Sequence, residues 1–229
     1  MLLTPVEAAA LELSLRIGLW SVVGAMPVAV VLAFLLARGR FRGRTLLSAL
    51  VYLPLVLPPV VTGYVLLLLF GRHGPIGARL EAWFGIVLAF RWTGAALAAA
   101  VMGLPLMVRA IQLSLEAVDP GLEQAASGLG APRWAVFATV TLPLALPGVL
   151  AAALLGFAKS LGEFGATITF VSNIPGETQT LPIAIYSLLQ VPGGDAALLR
   201  LSLLSAAVSL GGVLAAELLA GRLKRRLAR

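Results

Sequence analysis

The chain has 229 residues, 60% of them hydrophobic and only 12% charged, where a soluble domain carries about 25% charge; mean hydropathy is +1.00. Its net charge of +7 is not laid out as a basic stripe interleaved with aromatics, which argues against nucleic acid and for contact with an anionic cytoplasmic leaflet. Cysteine is absent, excluding a disulfide framework, thiol chemistry and a Cys-based metal site.

At the N-terminus, Glu7 and Glu12 stand where a signal peptide would carry basic residues. Ile17 to Ala37 is an uncharged run of 21 residues with no cleavage pattern after it, long enough for a retained span. Four arginines within Arg38–Arg44 then mark a cytoplasmic loop. Thr45 to Phe70 gives 26 uncharged residues broken by Pro54, Pro58, Pro59 and Gly63. A membrane bundle tolerates such prolines when neighbours satisfy the freed carbonyls. The run reads as a kinked packing helix or as a bend lining a pathway. Gly71 to Gly85 reads as a polar loop holding His73, the single histidine, without ligand partners at metal spacing. Trp83, Phe84 and Trp92 are placed as interfacial aromatics, and Trp92 to Val108 starts the next span, with helix continuing to about Val118.

Asp119-Pro120 opens a polar insert with an N-cap carboxylate and a proline at the first helical position. Gly128 and Gly130 stop that helix after about two turns, and Pro132 can restart one. From Trp134 apolar character runs to Val171, too long for a single span of about 20 residues. Pro143 and Pro147 offer the break, which predicts an interfacial segment to about Pro143 and a span from Leu146 to Phe170. That choice puts Lys159 and Glu163 inside the membrane, whereas a span over 136–157 would leave them at the outer interface. Asn173 to Glu177 is turn chemistry. Leu181 to Val191, about 11 residues, is too short to span and reads as interfacial or re-entrant. A last span ends near Leu219, before Arg222, Lys224, Arg225, Arg226 and Arg229.

The expected fold is therefore all-α, one polytopic transmembrane domain with five spans over about 14–37, 46–70, 88–115, 146–170 and 198–219. The basic loops fall on one side when the N-terminus is outside and the C-terminus cytoplasmic, which puts the insert, about 119–135, in the cytoplasm. Neither lysine, Lys159 nor Lys224, ends a phosphate-binding Gly-rich loop, so ATP hydrolysis by that route is not expected of this chain. No nucleophile triad, metal cluster or exposed acid pair points to an enzyme. Lys159 and Glu163, four apart on one helix face, are close enough to pair, and intramembrane charges need a partner or a pathway.

Glu123-Gln124-Ala125-Ala126, then Gly130, then Val140-Thr141-Leu142-Pro143 resembles the cytoplasmic signature of ABC importer permeases: Glu-Ala-Ala, three residues, Gly, nine residues, Ile, one residue, Leu-Pro. Gln124 stands where that signature has glutamate and Val140 where it has isoleucine; Glu123, one step earlier, lies about 100° away around the helix. The segments Leu53–Tyr64, Gly71–Gly77, Lys159–Thr167 and Asn173–Pro182 are similar to the permease subunits of molybdate importers, and sulfate permeases share a version of Gly162–Ala166.

The resemblance implies the type I ABC importer permease fold and a bacterial inner (cytoplasmic) membrane location. It further implies a homodimer with two ATPase subunits and a periplasmic molybdate-binding protein, alternating access, and passage of molybdate and also tungstate. ATP and magnesium would be used by the partner ATPase, with no cofactor bound by this chain. Glu123, Gln124, Ala125, Ala126, Gly130, Leu142 and Pro143 would couple to the ATPase. Lys159, Ser160, Glu163, Thr167 and Thr169 would border the oxyanion route or an outer gate, unless Lys159 and Glu163 form a neutralised pair that stabilises the bundle. An exposed Glu163 would repel a dianion, so passage or gating fits better than tight binding there. A permease for sulfate or another oxyanion is the alternative. A secondary transporter is disfavoured by the insert and by the lack of a visible paired repeat with broken helices.

Overall fold

The computed structural model describes residues 3–227 and is helical throughout its regular structure. Helix α1 (Pro5–Arg38) opens on a reciprocal cap: Glu7 N–H donates to Thr4 Oγ1 at 3.3 Å, and Thr4 N–H donates to Glu7 Oε2 at 2.8 Å. It is followed by α2 (Arg44–Val56), α3 (Pro59–Phe70), α4 (Gly77–Phe84) and α5 (Trp92–Glu116). The second half comprises α6 (Pro120–Gly128), α7 (Arg133–Val136), a π-helical turn (Phe137–Thr141), α8 (Leu142–Leu161), α9 (Gly165–Val171), α10 (Leu181–Leu188) and α11 (Asp195–Leu227). The basic cluster from Arg222 to Arg229 lies outside the residues whose side chains are described.

Helix α5 is the hub, packed against α1 on one side and α8 on the other. Small residues let the backbones close up: a Cβ on Gly148 of α8 would sit 2.2 Å from the Ser114 Cβ of α5. Two apolar cores follow along this axis. One gathers Leu13 and Ile17 of α1, Leu66 of α3, Ala95 to Met102 of α5 and Phe170 of α9. The other gathers Ala25 to Leu36 of α1, Val51 of α2, Met107 to Leu115 of α5 and Ala152 of α8. The arginine distribution assigns the second core to the cytoplasmic half. At the opposite end the Arg16 guanidinium lies 3.9 Å from the Trp92 ring centroid, tying α1 to α5.

Among the described residues four helices are long and apolar enough to cross a membrane, and the bent pair α2–α3 gives up to five. Since α2 belongs to the inner core and α3 to the outer one, the pair together passes from one half to the other. Of the two readings of this run, a kinked helix or a bend lining a pathway, the geometry is a bend: its axes turn by 114° at Leu57-Pro58. A residue before proline is driven out of the α region. Here two in succession precede one, Leu57 at ψ 143° and Pro58 at ψ 132°. The corner is braced because Tyr52 Oη donates to Gln112 Oε1 at 3.2 Å, and Gln112 Nε2 to Glu116 Oε1 at 2.8 Å.

The expected span over 146–170 is also displaced, and the helix seen lies closer to the alternative over 136–157. The helical path is continuous from Arg133 to Leu161 and breaks later, at Gly162–Phe164. Pro143 does not break it because the π-turn just before it widens the ladder. There Leu142 N–H reaches back to Phe137 O, so the ring that would crowd a regular turn is accommodated.

The polar loop expected over Gly71–Gly85 contains α4, which lacks a side-chain N-cap signal and ends at Gly85 with φ +65°. Helix α10 is short, as expected, and covers the outer ends of α1 and α11, with Leu181 N–H donating to Ser14 Oγ at 2.8 Å.

Candidate functional site

Helix α6 is built by its termini. The Asp119 carboxylate accepts the Gly121 N–H at 2.8 Å and Pro120 occupies the first turn. At the other end Ala131 N–H donates to Ala126 O (3.2 Å) and Gly130 N–H to Ser127 O (3.0 Å). These two bonds form a Schellman closure, with Gly130 at φ +88°. None of its residues is fully buried. Gln124, Ala125 and Gly130 are exposed, Ala126 is half-buried, and Leu129 next to them is 91% exposed. The helix and its C-cap thus present small side chains and two exposed leucines, Leu122 and Leu129, to their surroundings.

Glu123 faces the other way. Its Oε1 accepts from Arg38 Nη2 at 3.1 Å and from Thr141 Oγ1 at 2.7 Å. Arg38 Nη2 also donates to Leu115 O (3.1 Å) and Val118 O (3.3 Å) at the C-terminal end of α5, where a cation is favoured by the helix dipole. One carboxylate and one guanidinium therefore knot the ends of α1 and α5, helix α6 and the π-turn. Oε1 of Glu123 is thus occupied by partners within the chain, and its side chain is turned away from the exposed side of Gln124. Leu142, half-buried, and Pro143, exposed, open α8 directly beyond Thr141.

The second group lies at the α8–α9 break. Lys159 Nζ donates to Glu163 Oε2 at 2.5 Å, and Ala166 N–H donates to Glu163 Oε1 at 3.1 Å. Glu163 is thus both ion-pair partner and cap for the first turn of α9. Its side chain is 2% exposed and that of Lys159 29%. Thr169 Oγ1 donates to Gly165 O at 2.8 Å and Thr167 is buried. The Ser160 hydroxyl is buried without a protein partner. The break is pressed against the α2–α3 corner, for a Cβ on Gly165 would sit 2.8 Å from the Pro59 Cβ.

Sequence reasoning missed Arg38 and Thr141. Arg38 looked like any of the four arginines in its run, and only its place as the last residue of α1 sets it apart. Thr141 lay within the signature but carried no signal of its own. Among the described residues no group of three or more His, Cys, Asp or Glu side chains could hold a metal ion.

The pattern of the family described as "Binding-protein-dependent transport system inner membrane component" matches residues 26–228. The chain belongs to this family. This inner-membrane permease is 56% identical over 220 residues to the Molybdenum transport system permease protein ModB of Escherichia coli (strain K12), covering 96% of both chains. To the protein of the same description from Haemophilus influenzae it is 54% identical over 221 residues, again 96% of both. Among solved structures, the permease is similar to a chain of a bacterial ABC transporter involved in the import of the acidic polysaccharide alginate. The TM-score is 0.75 at 19% identity, over 96% of this chain and 80% of that one. That likeness shows the all-α ABC importer permease fold expected from the sequence.

Proposed function

We propose that the permease carries molybdate, and with it tungstate, across the inner membrane by alternating access. In this reading it works as a homodimer served by two ATPase subunits and a periplasmic molybdate-binding protein. The observation that carries the substrate is the 56% identity, extended over 96% of the chain, to a permease described as a molybdenum transporter. ATP and magnesium act on the ATPase subunits, and no cofactor is assigned to this chain. Uptake by the reconstituted complex, with molybdate, tungstate and sulfate in competition, tests the reading. Sulfate displacing molybdate at equal concentration would overturn it in favour of a sulfate permease, and uptake without ATP would favour a secondary transporter.

The surface offered to the ATPase is the outer face of α6, with Gln124, Ala125, Ala126 and Gly130 as contact residues and Leu142 and Pro143 at the base. Glu123 has the separate task of transmitting movement, because its bonds to Arg38 and Thr141 join α6 to the bundle. A Gly130→Asp change should abolish ATP-driven uptake while the protein stays in the membrane; undiminished uptake would remove the docking assignment.

At the break, the two oxygens of Glu163 are occupied by Lys159 and by the α9 backbone, which favours a pair that shapes a passage over one that binds a dianion. Ser160, Thr167 and Thr169 are the hydroxyl donors beside it. Replacing Lys159 and Glu163 together by alanine should slow uptake without loss of assembly, and normal uptake would leave the pair a purely stabilising role.

A further inference from the structure

A groove of about 690 Å³ runs between the last turns of α1 and the segment that leaves the cytoplasmic loop. Its floor is the edge-to-face contact of Phe34 and Phe137, with ring centroids 4.9 Å apart. Val31 and Leu35 form its apolar wall and are exposed, as is Trp134, 74% exposed at the rim. Arg38 and Arg133 close the end where the apolar run of α1 stops. No carboxylate lines it. Among the described residues Arg133 forms no ion pair, and Arg40, Arg42 and Arg44 stand exposed just beyond.

The chemistry is divided by depth. The wall belongs to a helix long and apolar enough to cross a membrane, and its exposed Val31 and Leu35 have the chemistry that an acyl chain covers. Trp134, exposed beside Arg133, is the kind of amphipathic ring enriched where headgroups begin. Arg38 is already paired with Glu123, so it is Arg133, without an ion pair among the described residues, that adds an attraction for negative charge which a zwitterionic headgroup does not satisfy. We propose that this groove binds one acidic phospholipid, its acyl chains along Val31 and Leu35 and its anionic headgroup at Arg133. A protein occupant, either a second copy or an ATPase subunit, would instead have to cover an unpaired arginine with an acidic side chain.

The test uses the full-length chain in phosphatidylcholine bilayers, with graded phosphatidylglycerol or further phosphatidylcholine brominated on the acyl chains. The Trp134 signal is taken as the difference from Trp134→Phe. Brominated phosphatidylglycerol should quench that signal at about fivefold lower mole fraction than brominated phosphatidylcholine, the equivalent of about 1 kcal/mol for one arginine at an anionic surface. Arg133→Gln should remove the preference, while Arg72→Gln, at the other end of the molecule, should leave it intact. Equal quenching by the two lipids, or a preference that survives Arg133→Gln, would overturn the site, the latter leaving only general leaflet charge. A Trp134 signal that neither lipid reaches would overturn it too, showing the groove covered by protein.

Discussion

Arg38 Nη2 and Glu123 Oε1 lie 3.1 Å apart although 85 residues separate them, and the same carboxylate oxygen holds Thr141. Both charged side chains are about three-quarters buried, so the contact is far less screened than a surface ion pair. Glu123→Ala should lower unfolding stability in detergent by about 1.5–3 kcal/mol, the range for hydrogen bonds to charged groups. Arg38→Ala should do likewise, and the double variant should cost less than the sum, with a coupling of about 0.5–3 kcal/mol. Strict additivity would show that the two residues act separately. Uptake should fall in all three variants, because α6 then moves without the bundle.

Gly130 tests the closure of α6. At φ +88° an L side chain is strained even though nothing lies within 4 Å of an added Cβ. Gly130→Val should therefore destabilise by about 1–2 kcal/mol or more, and Gly130→Asn clearly less, since asparagine tolerates the left-handed region. Thermal unfolding of the two variants side by side decides it; equal losses would point to contacts of the loop instead of backbone strain.

For the pair at the helix break, the order of two variants is diagnostic. Lys159→Met alone strands a carboxylate that is 2% exposed. Adding Glu163→Gln removes the charge but keeps an acceptor for the Ala166 N–H. The double variant should therefore be the more stable of the two, measured by thermal unfolding in detergent. The loss in the single variant should lie below the about 3–5 kcal/mol of a fully buried broken pair, because Lys159 is 29% exposed. A double variant less stable than the single one would show that the charges themselves stabilise the bundle.

The corner of α2–α3 leaves no room at α9. A Cβ on Gly63 would approach the Ala166 carbonyl oxygen to 2.5 Å, whereas one on Gly24 meets nothing within 4 Å. Gly63→Ala should cost about 1–3 kcal/mol by overpacking and Gly24→Ala should be neutral or stabilising, as replacing glycine inside a helix is worth about 1 kcal/mol. Unfolding midpoints of the two proteins measure the contrast.

What could be read from the sequence was what local chemistry dictates. Asp119-Pro120 and Gly130 mark the two ends of α6 because caps and left-handed turns need those residues at those places. The long apolar runs of α1 and α5 announce their own lengths. The depth of the α8–α9 break was misjudged, because Pro143 and Pro147 look like stronger breakers than Gly162. A π-turn has no composition of its own by which to foresee that it would absorb Pro143. The partner of Glu123 was hidden among four alternating arginines. Only the tertiary meeting of helix ends distinguishes Arg38 from Arg40, Arg42 and Arg44.

The π-turn at Phe137–Thr141 makes this stretch tolerant of a change in chain length that the rest of the helix would not accept. It holds one residue more than a regular turn, so deleting one of its residues other than Thr141, which bonds Glu123, would restore an α-helical ladder. Because the wider turn had absorbed that residue, the helix on either side would keep nearly the same phase. Helix α6 would remain folded and still face the same way. The segment works as a buffer: a deletion there should be far less damaging than one within the regular turns of α8, which would rotate everything upstream by about 100° and draw it in by about 1.5 Å.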